Sequence, residues 1–204
     1  MPKLEFWYEF ASNYSWLSAV RIEPLARAAG VEVVWKPFLL GPIFRAQGWT
    51  SSPFNLYPAK GRHMRRDMAR LAEARGLPLA WPPVFPVNAL TAARLARLGE
   101  AEGWVAPFSR AVFEAEFQQG RDVADPAVLR EILTVLDLDA DRLFAAIADP
   151  ALKASLAART EEATARDVFG APTFLAPDGE LFWGDDRLEQ AIAWTVSHPI
   201  GTAG

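Results

Sequence analysis

The residues best placed to do chemistry in this chain are Ser12-Asn13-Tyr14-Ser15, set between an apolar run, Leu4 to Phe10, and a helical pattern, Trp16 to Ala29. At a strand-to-helix turn the first backbone N–H groups lack intrahelical partners and the helix dipole is positive, so an anion is favoured there. Ser12 adds an O–H donor, which would stabilise a thiolate and raise its share at neutral pH. The chain contains no cysteine. Any thiol handled at this turn must therefore arrive on a ligand, and disulfide exchange is excluded. The same residues also read as an ordinary cap, a role open to Ser12, Asn13 or Ser15.

Gly170-Ala171-Pro172-Thr173 is the second feature, because Pro172 lies between a helix end and a strand start. Asp185 and Asp186 form an acidic pair that suits an ammonium group, or alternatively a surface turn and cap, with Glu189 three residues beyond Asp186 in capping-box spacing. Lys60, Arg62, His63, Arg65 and Arg66 make a basic cluster. It is either a solvated face or a means of attracting carboxylates through Lys60 or Arg62, and Lys36 offers the same charge from the end of a strand. Trp81, Phe85, Pro86 and Asn88 read either as core or as the lining of an apolar acceptor site. Zero cysteine and two distant histidines, His63 and His198, leave no basis for a zinc-thiolate or histidine-rich centre, and no metal is expected.

These groups must be held by a folded frame, and composition allows one. With 204 residues, 51% of them hydrophobic and 12% aromatic, the chain can bury a substantial core. A net charge of −4 gives no general attraction to nucleic acid or anionic membrane. No run approaches the roughly 18 to 20 apolar residues of a membrane span, and Met1-Pro2-Lys3 leads straight into a strand pattern. A soluble, cytoplasmic protein is expected.

Leu4 to Phe10 and Val31 to Trp35 read as strands joined through a helix that stops at Gly30, a β-α-β unit with a parallel pair. A loop rich in Gly, Pro and Ser is expected from Pro37 to Lys60. Helices are expected over Arg62 to Arg75, Asn88 to Gly103, Val105 to Gln119, Pro126 to Leu136, Asp141 to Ala148 and Ala151 to Phe169. Met64, Met68 and Leu71 show the spacing of a buried face, as do Val128, Ile132 and Val135. Thr173 to Ala176 and Glu180 to Trp183 flank Pro177-Asp178-Gly179 and predict a β-hairpin, and a last helix runs from Asp186 to Ser197 before a frayed tail beyond Pro199. The sum is an α/β chain, a thioredoxin-like sheet with an all-helical insertion. The expected sheet domain spans 1–40 and 156–204, and the insertion 41–155.

The chain resembles the 2-hydroxychromene-2-carboxylate isomerases and the related kappa-class glutathione transferases, members of the DsbA-like branch of thioredoxin folds. The resemblance rests on Phe6 to Leu17, Trp35 to Gly41, Pro58 to Arg62, Phe85 to Asn88, Phe169 to Phe174 and Phe182 to Arg187, which occur in family order. It implies a glutathione-dependent isomerase of an aromatic or chromene-type carboxylate, in a homodimer. The implied catalytic group is Ser12, at the glutathione sulfur. Glutathione would be held by Ser12, Asn13, Tyr14, Trp49, Lys60, Ala171, Pro172, Asp185 and Asp186. In such proteins Pro172 would be cis, Ala171 would bind the tripeptide backbone, and Asp185 and Asp186 its γ-glutamyl end. The small aromatic carboxylate would meet Lys36, Arg62, Phe85 and Asn88. Two positions depart from the pattern: Asn13 stands where relatives commonly have proline, and Trp49 where an asparagine is expected. A transferase or peroxidase that consumes glutathione, and a non-catalytic scaffold that binds thiols or peptides, are the alternative readings.

Overall fold

The computed structural model describes residues 1–198. Four strands, β1 (Lys3–Tyr8), β2 (Glu32–Pro37), β3 (Thr173–Leu175) and β4 (Leu181–Trp183), form one sheet in the order β2-β1-β3-β4. β1 runs parallel to β2 and antiparallel to β3, and β3 and β4 form the expected hairpin, with Gly179 at φ +92° in its turn. The alternation of β1 sorts its aromatics. Phe6 and Tyr8 join the larger core cluster, where Phe6 stacks on Phe174 and Phe6 and Tyr8 each meet Trp35 edge-on, whereas Trp7 joins a second cluster with Phe38, Ile43, Val168 and Leu175. Both faces of the central strand are thus covered, and burying each such aromatic contributes about 1.5–3 kcal/mol. β1 ends two residues earlier than expected, because Phe38 makes the last ladder bond to the Tyr8 carbonyl and Ser12 N–H then turns back to the Glu9 carbonyl.

The helix expected over residues 16–29 is two helices, α1 (Asn13–Ala19) and α2 (Ile22–Ala28). Pro24 explains the break. It has no N–H for the Val20 carbonyl, and its ring would strike that carbonyl in a continuous helix. The expected loop from Pro37 to Lys60 also holds helices, α3 (Leu40–Ala46) and α4 (Pro53–Leu56), while α5 (Pro58–Ala74) begins four residues before the predicted start. The prolines that suggested a loop occupy first-turn positions, where a missing N–H costs nothing, and Ser52 caps α4.

Next come α6 (Leu90–Glu102), α7 (Val105–Phe117), α8 (Pro126–Val135), α9 (Ala140–Ala146) and α10 (Pro150–Ala165), close to expectation. α6 stops where Gly103 takes φ +84°. On α8 Val135 is 79% exposed, and the buried face is completed instead by Leu129 and Leu133. Phe108, Phe113 and Phe117 of α7 share the larger cluster with Tyr8 and Phe10, so the intervening helices pack directly on the sheet. A short 3-10 turn (Asp185–Arg187) precedes α11 (Leu188–Ser197). The capping box predicted at Asp186 is absent: Arg187 occupies the cap position of α11, without a side-chain bond. The predicted frayed tail lies outside the described residues. Among those residues no helix is long and apolar enough to cross a membrane.

Candidate functional site

β1 and β2 end on the same edge of the sheet, and the turn after β1 carries Ser12. Its φ and ψ of −98° and 106° are extended, as an N-cap requires, and its Oγ accepts from Ser15 N–H at 3.2 Å. The hydroxyl proton goes elsewhere, to the carbonyl of Ala171 at 3.0 Å. The Ala171-Pro172 bond is cis, and Thr173 opens β3 beside it. The structure therefore brings Ser12, Ala171 and Pro172 together, from positions 159 residues apart for the hydrogen-bonded pair. Ser12 is 7% exposed. Its oxygen acts as a cap in one direction and a donor in the other, so the two sequence readings of this residue are compatible. α1 has only seven residues, so its dipole is small and the hydroxyl is the main polar resource of the turn.

Asn13 is buried and anchored. Its Oδ1 accepts from Tyr14 N–H at 3.0 Å, and its Nδ2 donates to the Met64 sulfur at 2.7 Å. The Tyr14 hydroxyl donates to Asp67 at 2.9 Å, and burial together with that carboxylate holds the phenol above its ordinary pKa. Tyr14 is a neutral donor tying α1 to α5.

The two aspartates divide. Asp185 is buried, and its carboxylate accepts from Ser18 Oγ at 2.9 Å, Arg75 at 2.6 Å and Arg21 at 3.4 Å. Asp186 has 72% of its side chain exposed and pairs loosely with Arg187 at 3.3 Å. Gly184, at φ +107°, sits beneath it, and a Cβ there would come within 2.6 Å of an Asp186 carboxylate oxygen. Only Asp186 therefore presents a carboxylate to solvent.

The remaining predicted site residues are dispersed. Lys36 lies on the sheet face opposite α1, 3.9 Å from Glu5 and over the Trp7 ring, in a group that includes Arg159 and Arg166. Trp49 meets Phe44 with the ring centroids 5.3 Å apart and the planes tilted by 43°, so the indole packs back on α3. Lys60 covers the Tyr57 ring, and Arg62 is exposed. Phe85, partly buried, packs edge-on against Trp81 and Phe117 at the margin of the larger core cluster. Asn88 accepts from Leu90 N–H at 3.3 Å, at the start of α6.

A half-buried carboxyl and a fully buried one escaped the sequence reading. Glu9 lies three residues before Ser12, and burial pushes its pKa up to about 8. Glu116 on α7 is fully buried with neither carboxyl oxygen bonded, and its pKa is raised by burial and then by the nearby charges of Glu9 and Asp122. The position of Glu9 inside an aromatic run was the available signal; Glu116 had none, since it sits among charged and apolar residues of an ordinary amphipathic helix.

The chain is 28% identical over 186 residues to the 2-hydroxychromene-2-carboxylate isomerase of Sphingobium xenophagum, covering 91% of this chain and 94% of that one. It is 29% identical over 86 residues to glutathione S-transferase kappa 1 of Caenorhabditis elegans, covering 42% of this chain and 37% of the transferase. A solved 2-hydroxychromene-2-carboxylate isomerase superposes with a TM-score of 0.83 at 25% identity, over 94% of this chain and 93% of the other. The DSBA-like thioredoxin domain matches residues 3–192, spanning the Ser12 turn, the cis-proline and both flanks of the sheet, and the chain belongs to that family.

Proposed function

We propose that this protein is a glutathione-dependent isomerase of a 2-hydroxychromene-2-carboxylate-type aromatic acid, acting in the cytoplasm as a homodimer. The observation that carries the reading is the Ser12 hydroxyl aimed at the carbonyl before a cis-proline, in a chain without cysteine. A donor stands where a thiol ligand needs stabilising, and no protein sulfur competes for it. Its similarity to isomerases so named supports the substrate class.

The residues fit glutathione. If Ser12 turns its proton from the Ala171 carbonyl to a ligand sulfur, that carbonyl becomes available to a backbone N–H of the tripeptide. Asp186 offers the exposed carboxylate for the γ-glutamyl ammonium, while Asp185, fully engaged by Ser18, Arg21 and Arg75, fixes the segment that presents it. Bound glutathione would supply a nucleophilic thiolate for reversible addition to a conjugated carbon of the substrate, the chemistry that a glutathione-dependent isomerisation needs. Ser12 holds the sulfur ionised, and only the thiolate is strongly nucleophilic.

The test is turnover of 2-hydroxychromene-2-carboxylate with and without glutathione, with total thiol measured throughout. Isomerisation that requires glutathione and leaves its amount unchanged is expected. Stoichiometric loss of thiol would make the protein a transferase, and turnover indifferent to glutathione would overturn the reading. Sedimentation equilibrium checks the homodimer.

A further inference from the structure

A groove of about 350 Å³ lies between α3, α6 and α10, on the sheet face opposite α1, where Ile43 joins the Trp7 cluster. That volume is in the range of small-molecule sites. Its walls are apolar, from Leu39, Pro42, Ile43, Leu90 and Leu156, and its polar groups are Arg94, Lys153, Glu161 and two threonines. The threonines are occupied: Thr160 Oγ1 accepts from Leu39 N–H and donates to the Leu156 carbonyl, and Thr164 Oγ1 donates to the Thr160 carbonyl.

Arg94 is not occupied. Of the eight arginines between residues 90 and 166, Arg97, Arg110, Arg121, Arg130, Arg142, Arg159 and Arg166 each form an ion pair, while Arg94 has none among the described residues. Its Nε is shielded from solvent and bonded to nothing. A half-buried guanidinium beside an apolar groove, in a helical region that pairs every other arginine, lacks its anion. Glu161 does not supply it, since it forms no ion pair among the described residues, but its charge on the groove wall opposes a second negative group on a ligand.

We propose that this groove binds a small apolar monocarboxylate, with Arg94 gripping the carboxylate and the leucine, isoleucine and proline walls taking the hydrocarbon. Planar guanidinium suits a carboxylate held through two N–H donors, and Lys153 adds a diffuse attraction at the rim. The site is independent of glutathione and of Ser12, and it stands or falls apart from the isomerase reading.

The experiment is calorimetric titration with 2-naphthoate, its neutral analogue 2-naphthalenemethanol and 2,6-naphthalenedicarboxylate, in the absence of glutathione. Saturable binding of 2-naphthoate is expected, with the alcohol and the dicarboxylate weaker. Arg94→Gln should weaken 2-naphthoate by about 10- to 100-fold, as loss of a charged hydrogen bond implies, and leave the alcohol unchanged. Ala157→Trp, at an exposed position on the groove wall, should fill the groove and abolish binding of both ligands. Ser12→Ala should change neither. Equal affinity for acid and alcohol, or 2-naphthoate affinity unaffected by Ala157→Trp, would overturn the proposal, as would absence of saturable binding. If Arg94→Gln fails to fold, the Ala157→Trp result and the acid-to-alcohol ratio decide alone.

Discussion

Ser12 has two jobs in this geometry, and three substitutions separate them. Its oxygen caps α1 through Ser15 N–H, and its proton goes to Ala171, or in the proposed complex to sulfur. Ser12→Ala removes both. Loss of the cap costs about 1 kcal/mol and loss of a buried neutral hydrogen bond about another, together lowering the melting temperature by roughly 4–8 °C for a chain of this size. Ser12→Thr keeps both roles, whereas Ser12→Asp keeps the cap acceptor, removes the donor and brings a negative charge to the sulfur. A charge-assisted hydrogen bond of about 1.5–3 kcal/mol corresponds to one to two pH units in the ionisation of bound glutathione. The assay is titration of the thiolate ultraviolet absorbance of bound glutathione. The thiol should ionise below its free value, near 8.5, in wild type and Ser12→Thr, rise to about the free value in Ser12→Ala, and rise further in Ser12→Asp. A bound-thiol titration identical in wild type, Ser12→Ala and Ser12→Asp, with the melting temperature lowered only by Ser12→Ala, would reduce Ser12 to a helix cap and refute the assignment.

Asp185→Asn should destabilise by about 3 kcal/mol in urea unfolding, because Arg75 loses the counter-charge it meets at 2.6 Å and the desolvated guanidinium is left without an equivalent partner; a loss below about 0.5 kcal/mol would show that the clamp carries little. For Glu9 the sign follows from a raised pKa. An unfolded glutamate titrates near 4.3 and folded Glu9 only near 8, so folding binds a proton between those values and wild-type stability falls as pH rises through that window. Glu9→Gln has no such proton and should gain about 3 kcal/mol on wild type between pH 4 and 7, an advantage that levels off above pH 8; a difference independent of pH would show that Glu9 titrates normally. Gly61→Ala drives a Cβ into the Phe54 backbone carbonyl oxygen, which cannot swing aside as a side chain would, and should cost about 1–3 kcal/mol by thermal unfolding, whereas unchanged stability would mean that α4 yields freely.

The parallel β1–β2 pair, the hairpin and most helix spans were legible because each is written locally, in alternation, helical spacing or a turn such as Pro177-Asp178-Gly179. The misreadings came where one residue type serves opposite purposes. Pro24 interrupted a helix that its apolar pattern ran through, while Pro42, Pro53 and Pro58 sit in the first turns of helices in a stretch whose composition suggested loop. At the site, Ser12 and Pro172 could be read from the turn chemistry on either side of them. The division of labour between Asp185 and Asp186 could not. It is set by Ser18, Arg21 and Arg75, residues more than a hundred positions away that reach only one of two adjacent carboxylates.

That long reach also explains how a seven-residue helix can hold a site in place. A helix of this length has no stability of its own in water, so its orientation comes from tertiary ties. α1 has three ties at its N-terminal end and one near its C-terminal end: Ser12 to Ala171, Asn13 to Met64, Tyr14 to Asp67 and Ser18 to Asp185. Two lead to α5 and two to the segments flanking β3 and β4, so the turn is fixed between the helical region and the far side of the sheet. Asn13 acquires its meaning in that frame. A proline at this first helical position would set φ but could form no side-chain bond. Asparagine leaves φ less restricted, yet it satisfies Tyr14 N–H and reaches Met64, replacing local stiffness by a bond across the fold. The departure from the family pattern therefore makes the Ser12 turn more dependent on α5, through the very helix that also supplies Asp67 and, at its end, Arg75.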